Sequence, residues 1–422
     1  PYVRTQVLGV EKAKRLAKSF KLSGRVDLYH AFLMGMSRVL APRGAMGAIV
    51  PNSFMKTKGA AALRAGLRRD LNIQRIIDLG DTKLFEAAVL PTMLIARGKA
   101  CAGRETQFSS IYQESCEAGT TAGSVLEALG QSGNIGVADG RVFRVRHGTL
   151  DTGSELAGVW RLATPESDAW LKRVADATWG TFSDIGKVRV GVKSGADKVF
   201  LPKVWDKTLE LQRPLTTHHC ARRYRPVSTE RKILYPYEFT KDGGHLVNLE
   251  RFPESHAYLE SHGDQLKNRS FVKEDARDWH KLLVPHSPDA WNKPKLVLRD
   301  IAEKPTFWMD LDGTVVNGDC YWLTGDEEHL WLALAVGNST LVERFYDERF
   351  NNRIYGGRRR FMTQYVTQFP LPDPESEIAR EIVAMCQNLY ADMGTGHTTQ
   401  LEREIDQLVW AAFGFCGSNV LA

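Results

Sequence analysis

Basic side chains with planar, forked donors are the most chemically pointed groups in this 422-residue chain. Arg222-Arg223-Tyr224-Arg225 and Gly356-Gly357-Arg358-Arg359-Arg360 form its two dense clusters. A guanidinium fork matches the paired acceptors of guanine in the major groove, and it also grips phosphate. The glycines of the second cluster let backbone come close to a phosphate. Taken alone, either cluster serves equally well as a solvated basic turn. Other chemistry is sparse. His218 and His219 are adjacent, so a helix or a strand would turn them apart, and they make no metal pair. Cys101, Cys116, Cys220, Cys320, Cys386 and Cys416 show no paired short spacing. That argues against a zinc ribbon or a disulfide framework and for a reducing compartment. No carboxylate–lysine constellation of a nuclease is visible.

The elements that must position such groups can be read from periodicity. Asp27–Leu40 reads as a helix with Leu28, Phe32, Met36 and Val39 or Leu40 on one face, ended by Pro42 and Gly44. Met46–Val50 reads as a short buried parallel strand closed by Pro51. Thr57–Arg69 reads as a second helix with Arg64, Arg68 and Arg69 in solvent. Ile73–Leu79 and Thr92–Ala96 complete an order of helix, strand, helix, strand, loop, strand, which implies an α/β layered sheet. Three strands and two helices leave one sheet edge raw and bury too little surface. Residues 1 to about 105 are therefore expected to complete a sheet begun elsewhere, upstream in the same polypeptide or in another chain.

Residues 106–175 alternate short strand-like runs (Thr106–Tyr112, Gly140–Val145) with glycine- and serine-rich turns and read as a connector with hairpins. Residues 176–375 are β-rich and aromatic, with strands expected at Val188–Val192, Val199–Leu201, Lys232–Tyr237, Lys295–Ile301 and Tyr321–Leu323 and a helix at Glu328–Leu334. Residues 376–422 read as two helices. Ile378, Ile382, Met385 and Leu389 mark the first; Leu401, Ile405, Leu408 and Ala412 mark the second, ended by Gly414. The short glycine-containing connection Asp392–His397 makes them an expected antiparallel hairpin.

The stretch Asp27–Arg97 contains DLYHAFLMGMSRVLAPRGAMGAIVPNSFM and IIDLGDTKLFEAAVLPTMLIAR. It resembles the amino-methylating DNA adenine methyltransferases whose motif is Asn-Pro-Pro-Tyr. Pro1 and Tyr2 match the last two letters of that motif, and the Asn and first Pro would stand just before residue 1. From Thr181 onward the chain resembles the TaqI-like C-terminal specificity domain. That likeness rests on Val190-Gly191-Val192-Lys193-Ser194-Gly195 with Lys198-Val199-Phe200, on Lys295–Ile301, on Phe369-Pro370-Leu371-Pro372, and on the closing helix Leu401–Val409.

The resemblance implies the C-terminal half of a Rossmann-like methyltransferase sheet (residues 1–105), a mixed β-rich target-recognition domain (residues 176–375) and the helical hairpin. It implies adenine-N6 methylation of double-stranded DNA in a restriction-modification or phage-defence system. The catalytic residues would be Pro1, Tyr2 and Phe85, with Tyr2 as the stacking face and Phe85 packed against the flipped base. The DNA ligands would be Lys193, Arg222, Arg223, Arg225, Arg358, Arg359 and Arg360. The methyl donor would be S-adenosylmethionine, whose glycine-rich turn is not found in this sequence, so that its site is expected mostly upstream of residue 1. The segment by itself is then expected to recognise DNA better than it modifies it. The competing class is a non-catalytic DNA-specificity module serving a separate catalytic chain.

Phe307-Trp308-Met309-Asp310-Leu311-Asp312-Gly313-Thr314-Val315 offers a third reading. It matches the first motif of haloacid-dehalogenase phosphatases, where two aspartates work beside magnesium. That fold needs the motif on the first strand of a parallel sheet, with a lysine and an acidic cluster well downstream. Here Gly325-Asp326-Glu327-Glu328 follows almost at once, and a strand, an Asp-Gly turn and another strand fit better. The bulk numbers set outer limits. The 43% hydrophobic content suits a core-forming globular chain of two or three domains, and the net charge of +6 is compatible with a nucleic-acid partner. No apolar run reaches membrane-spanning length and no signal peptide is seen, so the expected location is cytoplasmic.

Overall fold

The computed structural model describes residues 3–24, 26–85, 89–240, 243–272, 278–350, 353–354, 357–392 and 398–415. The chain divides into two compact units: Pro1–Lys172 with Phe345–Arg360, and Arg173–Arg344 with Phe361–Ala422.

The first unit is built on a mixed sheet. Its strands are β1 (Ala45–Pro51), β2 (Leu71–Asp78), β3 (Pro91–Gly98), β4 (Gln107–Glu114), β5 (Thr120–Ala122), β6 (Gly133–Val137), β7 (Val142–Asp151) and β8 (Arg161–Ala163). The order across the sheet is β1-β3-β2-β4-β7-β6-β5, with β8 on β7. β3 runs antiparallel to both β1 and β2, while β2 and β4 are parallel. β1 is thus not the parallel strand expected from its apolar run. It alternates, with Met46, Ala48 and Val50 buried and Ala45, Gly47 and Ile49 outward. That is the period-2 signature of a strand covered on one face.

The stretch expected as a connector with hairpins continues the sheet, and its strand-like runs Thr106–Tyr112 and Gly140–Val145 overlap β4 and β7. β4 pairs along β2 and β7 pairs along β4, so residues 107–163 extend the first three strands instead of leaving them. They also supply much of the buried surface that three strands alone would lack: Phe108, Trp160 and Leu162 join the core of Leu33, Val50, Ile76 and Leu94.

Two helices cover the β1–β3 region. The helix Leu28–Val39 buries Tyr29, His30, Ala31, Leu33, Met34 and Ser37. Phe32 and Val39, placed by sequence on its inner face, are 46% and 85% exposed. The true inner face carries a tyrosine, a histidine and a serine, so the apolar pattern points to the wrong side. The helix Ala61–Asp70 buries Leu63, Gly66 and Leu67, and also Arg64, which was expected in solvent. Arg64 instead donates inward to the carbonyls of Phe54, Thr57, Ala157 and Gly158.

In the second unit an antiparallel sheet runs in the order Arg189–Val190, Cys320–Leu323, Lys295–Arg299, Phe307–Asp310. A smaller one joins Lys232–Leu234, Gln212–Thr216 and Val315–Val316. Both contribute to one core with Trp291, Trp308 and Trp322. Val199–Leu201, expected as a strand, lies largely in a helical turn, Asp197–Phe200. The helix Glu327–Asn338 is buried along Leu330–Asn338, and its Asn338 amide closes on the backbone N–H and C=O of Phe307. The helices Glu377–Asp392 and Thr398–Ala412 form where expected and pack on each other. Their connection, 393–397, lies outside the described residues.

Candidate active site and DNA-facing residues

Pro1 and Tyr2 lie outside the described residues, but the backbone that follows them is anchored. Leu28 N–H donates to the Val3 carbonyl at 3.0 Å. The Asp27 carboxylate accepts from Thr5 N–H at 2.7 Å and from the Thr5 hydroxyl at 2.9 Å. The Asp-Leu-Tyr start of the helix therefore fixes the segment after Tyr2. The next turn continues the line of contacts, since the Tyr29 hydroxyl meets Ser53 Oγ at 3.0 Å.

Ser53 neighbours Asn52, which stands at the end of β1. Asn52 Nδ2 donates to Asp78 Oδ1 and to the Tyr112 hydroxyl, both at 3.0 Å. Tyr112 in turn donates to Asp78 Oδ2 at 2.7 Å. Lys56 Nζ stands 3.7 Å from the same oxygen. Asn52, Lys56, Asp78 and Tyr112 are all buried. Burial pulls the Lys56 ammonium below its ordinary range while Asp78 works against that shift. Burial, then the Asp78 charge, pushes the Tyr112 phenol up. Asp78 is the last residue of β2, and the loop that leaves it carries Phe85, a residue 43% exposed. Glu86, Ala87 and Ala88 lie outside the described residues.

The residues Phe345–Arg360 bring a second charged cluster to this unit. Arg353 pairs with Glu114, at the end of β4, and with Asp347 at 2.6 Å. Arg359 donates Nε and Nη2 to the same Asp347 at 2.8 and 2.6 Å. Burial alone would push the Asp347 carboxyl up, yet Arg353 and Arg359 hold it down at about 2. Arg359, expected as a DNA ligand, is therefore committed inside the protein. Arg358 and Arg360 are exposed, and Gly356 lies outside the described residues.

The other cluster divides in the same way. Arg223 is held by Glu402 at 3.0 Å and by the Asn338 carbonyl at 2.5 Å. Arg222 and Arg225 are exposed, and Arg225 lies 5.2 Å over the Tyr390 ring. The intervening Tyr224 is buried with φ +69°, its backbone bonded to the strand Phe307–Asp310. A buried anchor between exposed arginines makes this turn rigid. Lys193 is exposed. Gly195, two residues on, has φ +70° and packs against Phe271 and Leu283, where a Cβ would come within 2.8 Å of the Phe271 ring.

His218 and His219 do not point apart. They sit on a turn closed by Cys220 N–H to the Thr217 carbonyl, and their ring centroids are 3.9 Å apart. Among the described residues no group of three or more His, Cys, Asp or Glu could hold a metal. The Asp310 motif is structural too. Asp310 is buried against Lys295 at 3.1 Å and accepts from the Thr314 hydroxyl, and its strand pairs antiparallel with Lys295–Arg299. A phosphatase nucleophile would need a parallel first strand and an open face.

Two family models match parts of the chain. Residues 1–85 match the Eco57I restriction-modification methylase model, and residues 248–371 match the TaqI-like C-terminal specificity domain. Over 438 aligned residues the chain is 34% identical to the Type II methyltransferase M.BanIII of Aneurinibacillus aneurinilyticus, covering 98% of this chain and 75% of that protein. The chain belongs to the Type II methyltransferase family. A second relative, M.BstVI of Geobacillus stearothermophilus, is 24% identical over 393 residues, covering 89% of this methyltransferase chain and 66% of its own length. In fold, the chain is similar to the Type IIL restriction-modification enzyme MmeI, solved in complex with DNA, at a TM-score of 0.65 and 13% identity. That likeness covers 99% of this chain and 54% of the MmeI chain. No helix among the described residues is long and apolar enough to cross a membrane.

Proposed function

We propose that this methyltransferase chain serves adenine-N6 methylation of double-stranded DNA, with S-adenosylmethionine as methyl donor, in a restriction-modification or phage-defence system. The observation that carries the reading is the line of contacts from Val3 and Thr5, through Asp27–Tyr29 and Ser53, to Asn52, Asp78 and the Phe85 loop. It ties the segment following Pro1-Tyr2 and an exposed aromatic loop to neighbouring strand ends. An adenine amino group is a poor nucleophile because its lone pair is delocalised into the ring. Methylation requires the base to be drawn out of the duplex and held by stacking. It also requires acceptors aimed at the amino hydrogens, so that the nitrogen takes a more reactive geometry. In this reading Tyr2 stacks on the base, Phe85 packs against it, and a proline-locked backbone carbonyl of the motif that ends in Pro1-Tyr2 is among the acceptors. The order β1-β3-β2, with β3 reversed between two like-directed strands, supports taking this region as the closing half of a Rossmann-like methyltransferase sheet. Lys193, Arg222, Arg225, Arg358 and Arg360 are the exposed candidates for DNA contact.

The test uses the full-length protein, methyl-labelled S-adenosylmethionine and PCR-amplified DNA, which carries no methylated adenine or cytosine. Digestion to nucleosides should yield N6-methyladenine; label found only in methylcytosine refutes the base assignment. Tyr2→Ala should abolish transfer with duplex binding retained. Phe85→Ala should lower kcat about tenfold or more, as expected for loss of a base-stacking ring.

A further inference from the structure

Phe85 is 43% exposed, so packing alone does not fix its ring; the loop beneath it must. That loop leaves β2 at Asp78 and rejoins the sheet at Pro91. One residue holds both of its ends. The backbone N–H of Asn52 donates to the Leu90 carbonyl at 2.8 Å, and the side chain of Asn52 donates to Asp78 at 3.0 Å. The Tyr112 hydroxyl closes a triangle, accepting from Asn52 and donating to Asp78.

The support continues along the near side of the loop. Gln113, the residue after Tyr112, gives its N–H to Asp81 Oδ1 at 2.8 Å. Arg141 Nη1 donates to the Thr82 carbonyl at 2.9 Å. Glu114, one residue further along β4, is locked to Arg353. Two consecutive residues of β4, Tyr112 and Gln113, thus restrain the strand end and the loop, and Glu114 anchors the strand beside them. A fully buried tyrosine–asparagine–aspartate triangle is a demanding way to build a core, because every member must be satisfied. Apolar side chains of similar volume would fill the space without that requirement. What the polar triangle adds is a fixed geometry at one point.

We propose that Tyr112, acting with Asn52 and Asp78, is a positioning residue that sets the place of Phe85 against the extruded base. The proposal rests on the base-contact reading of Phe85. The experiment is a double-mutant cycle in the full-length protein, measuring kcat and KM for methyl transfer into PCR-amplified DNA. Tyr112→Phe keeps the ring and removes only the hydroxyl. It should lower kcat about tenfold to a hundredfold, the scale of a misplaced reacting group, with KM for DNA nearly unchanged. In a Phe85→Ala background the same substitution should cost almost nothing, since there is no ring left to position. Equal losses in both backgrounds, or no loss in either, overturn the proposal. If Phe85→Ala alone leaves kcat unchanged, the reading of Phe85 fails, and the brace fails with it for that distinct reason. Arg141→Gln is the second variant, because it removes the outer support at Thr82, together with the surface pair to Asp139 and the contact over Phe143, from a partly exposed side chain. It should give a smaller kcat loss that also vanishes without Phe85, and an additive loss again counts against the brace.

Discussion

His30 is buried against Tyr29, with ring centroids 4.3 Å apart, and its imidazole pKa is pulled down to about 4, mainly by burial. The folded state thus keeps His30 neutral where the unfolded chain would already be protonated. Its contribution is fully present above about pH 6.5, the unfolded value, and is lost as pH falls toward 4. The two values predict a loss of up to about 3 kcal/mol across that window. In His30→Leu, the acid limb of a Tm-against-pH curve should flatten between pH 6.5 and 4; an unchanged slope would remove His30 as its source. Nothing in the sequence marked this residue, because a histidine two positions from a predicted inner-face leucine reads as outward. The arginines were hard to read for a related reason. Arg358, Arg359 and Arg360 look alike as letters, yet only the acidic Asp347, twelve residues before Arg359, decides which of them is withdrawn from the surface.

At the scale of elements, Arg64 ties the helix Ala61–Asp70 to the turn after β1 and to the strand entry at Ala157–Gly158. Arg64→Met should leave those carbonyls unsatisfied and cost about 3 kcal/mol in denaturant unfolding. Arg64→Lys should recover little, because an ammonium cannot reproduce a planar fork that reaches four acceptors. A surface-like loss below about 0.5 kcal/mol would contradict the buried geometry. The elements themselves were well marked where amphipathic or alternating patterns are clean. The helix at Leu28–Val39, the strands β1, β2 and β3, and the two closing helices all fell within a few residues of expectation. The long central helix was underestimated. Leu330–Asn338 is buried on all sides and so has no polar face to set its period. The runs Thr106–Tyr112 and Gly140–Val145 were marked as strand-like, but their joining to the first three strands was not, because β4 pairs with the distant β2 and no local pattern records that.

For the molecule as a whole, the modest charge of +6 makes local placement matter more than total charge. Lys193, Arg222 and Arg225 are exposed on the second unit. If they meet phosphates, replacing all three by Gln should reduce the slope of log affinity against log salt by about 0.9 for each phosphate that is no longer neutralised. Binding titrations between 50 and 200 mM salt, the range over which phosphate neutralisation changes affinity strongly, check this; an unaltered slope places the phosphate ligands elsewhere. The two-part order of a methylase region followed by a specificity region was legible from motif order alone. The division into units was not, because it depends on a short return. The chain leaves the first unit after Lys172, comes back for Phe345–Arg360, and leaves again. That return bears on how recognition modules can be exchanged between relatives. A single splice near residue 172 would import a foreign counterpart of Arg353 and Asp347 and strand Glu114 without its cation. A chimaera that respects the ion pairs needs three junctions: it swaps 173–344 and the part after 360 while leaving the native 345–360 in place.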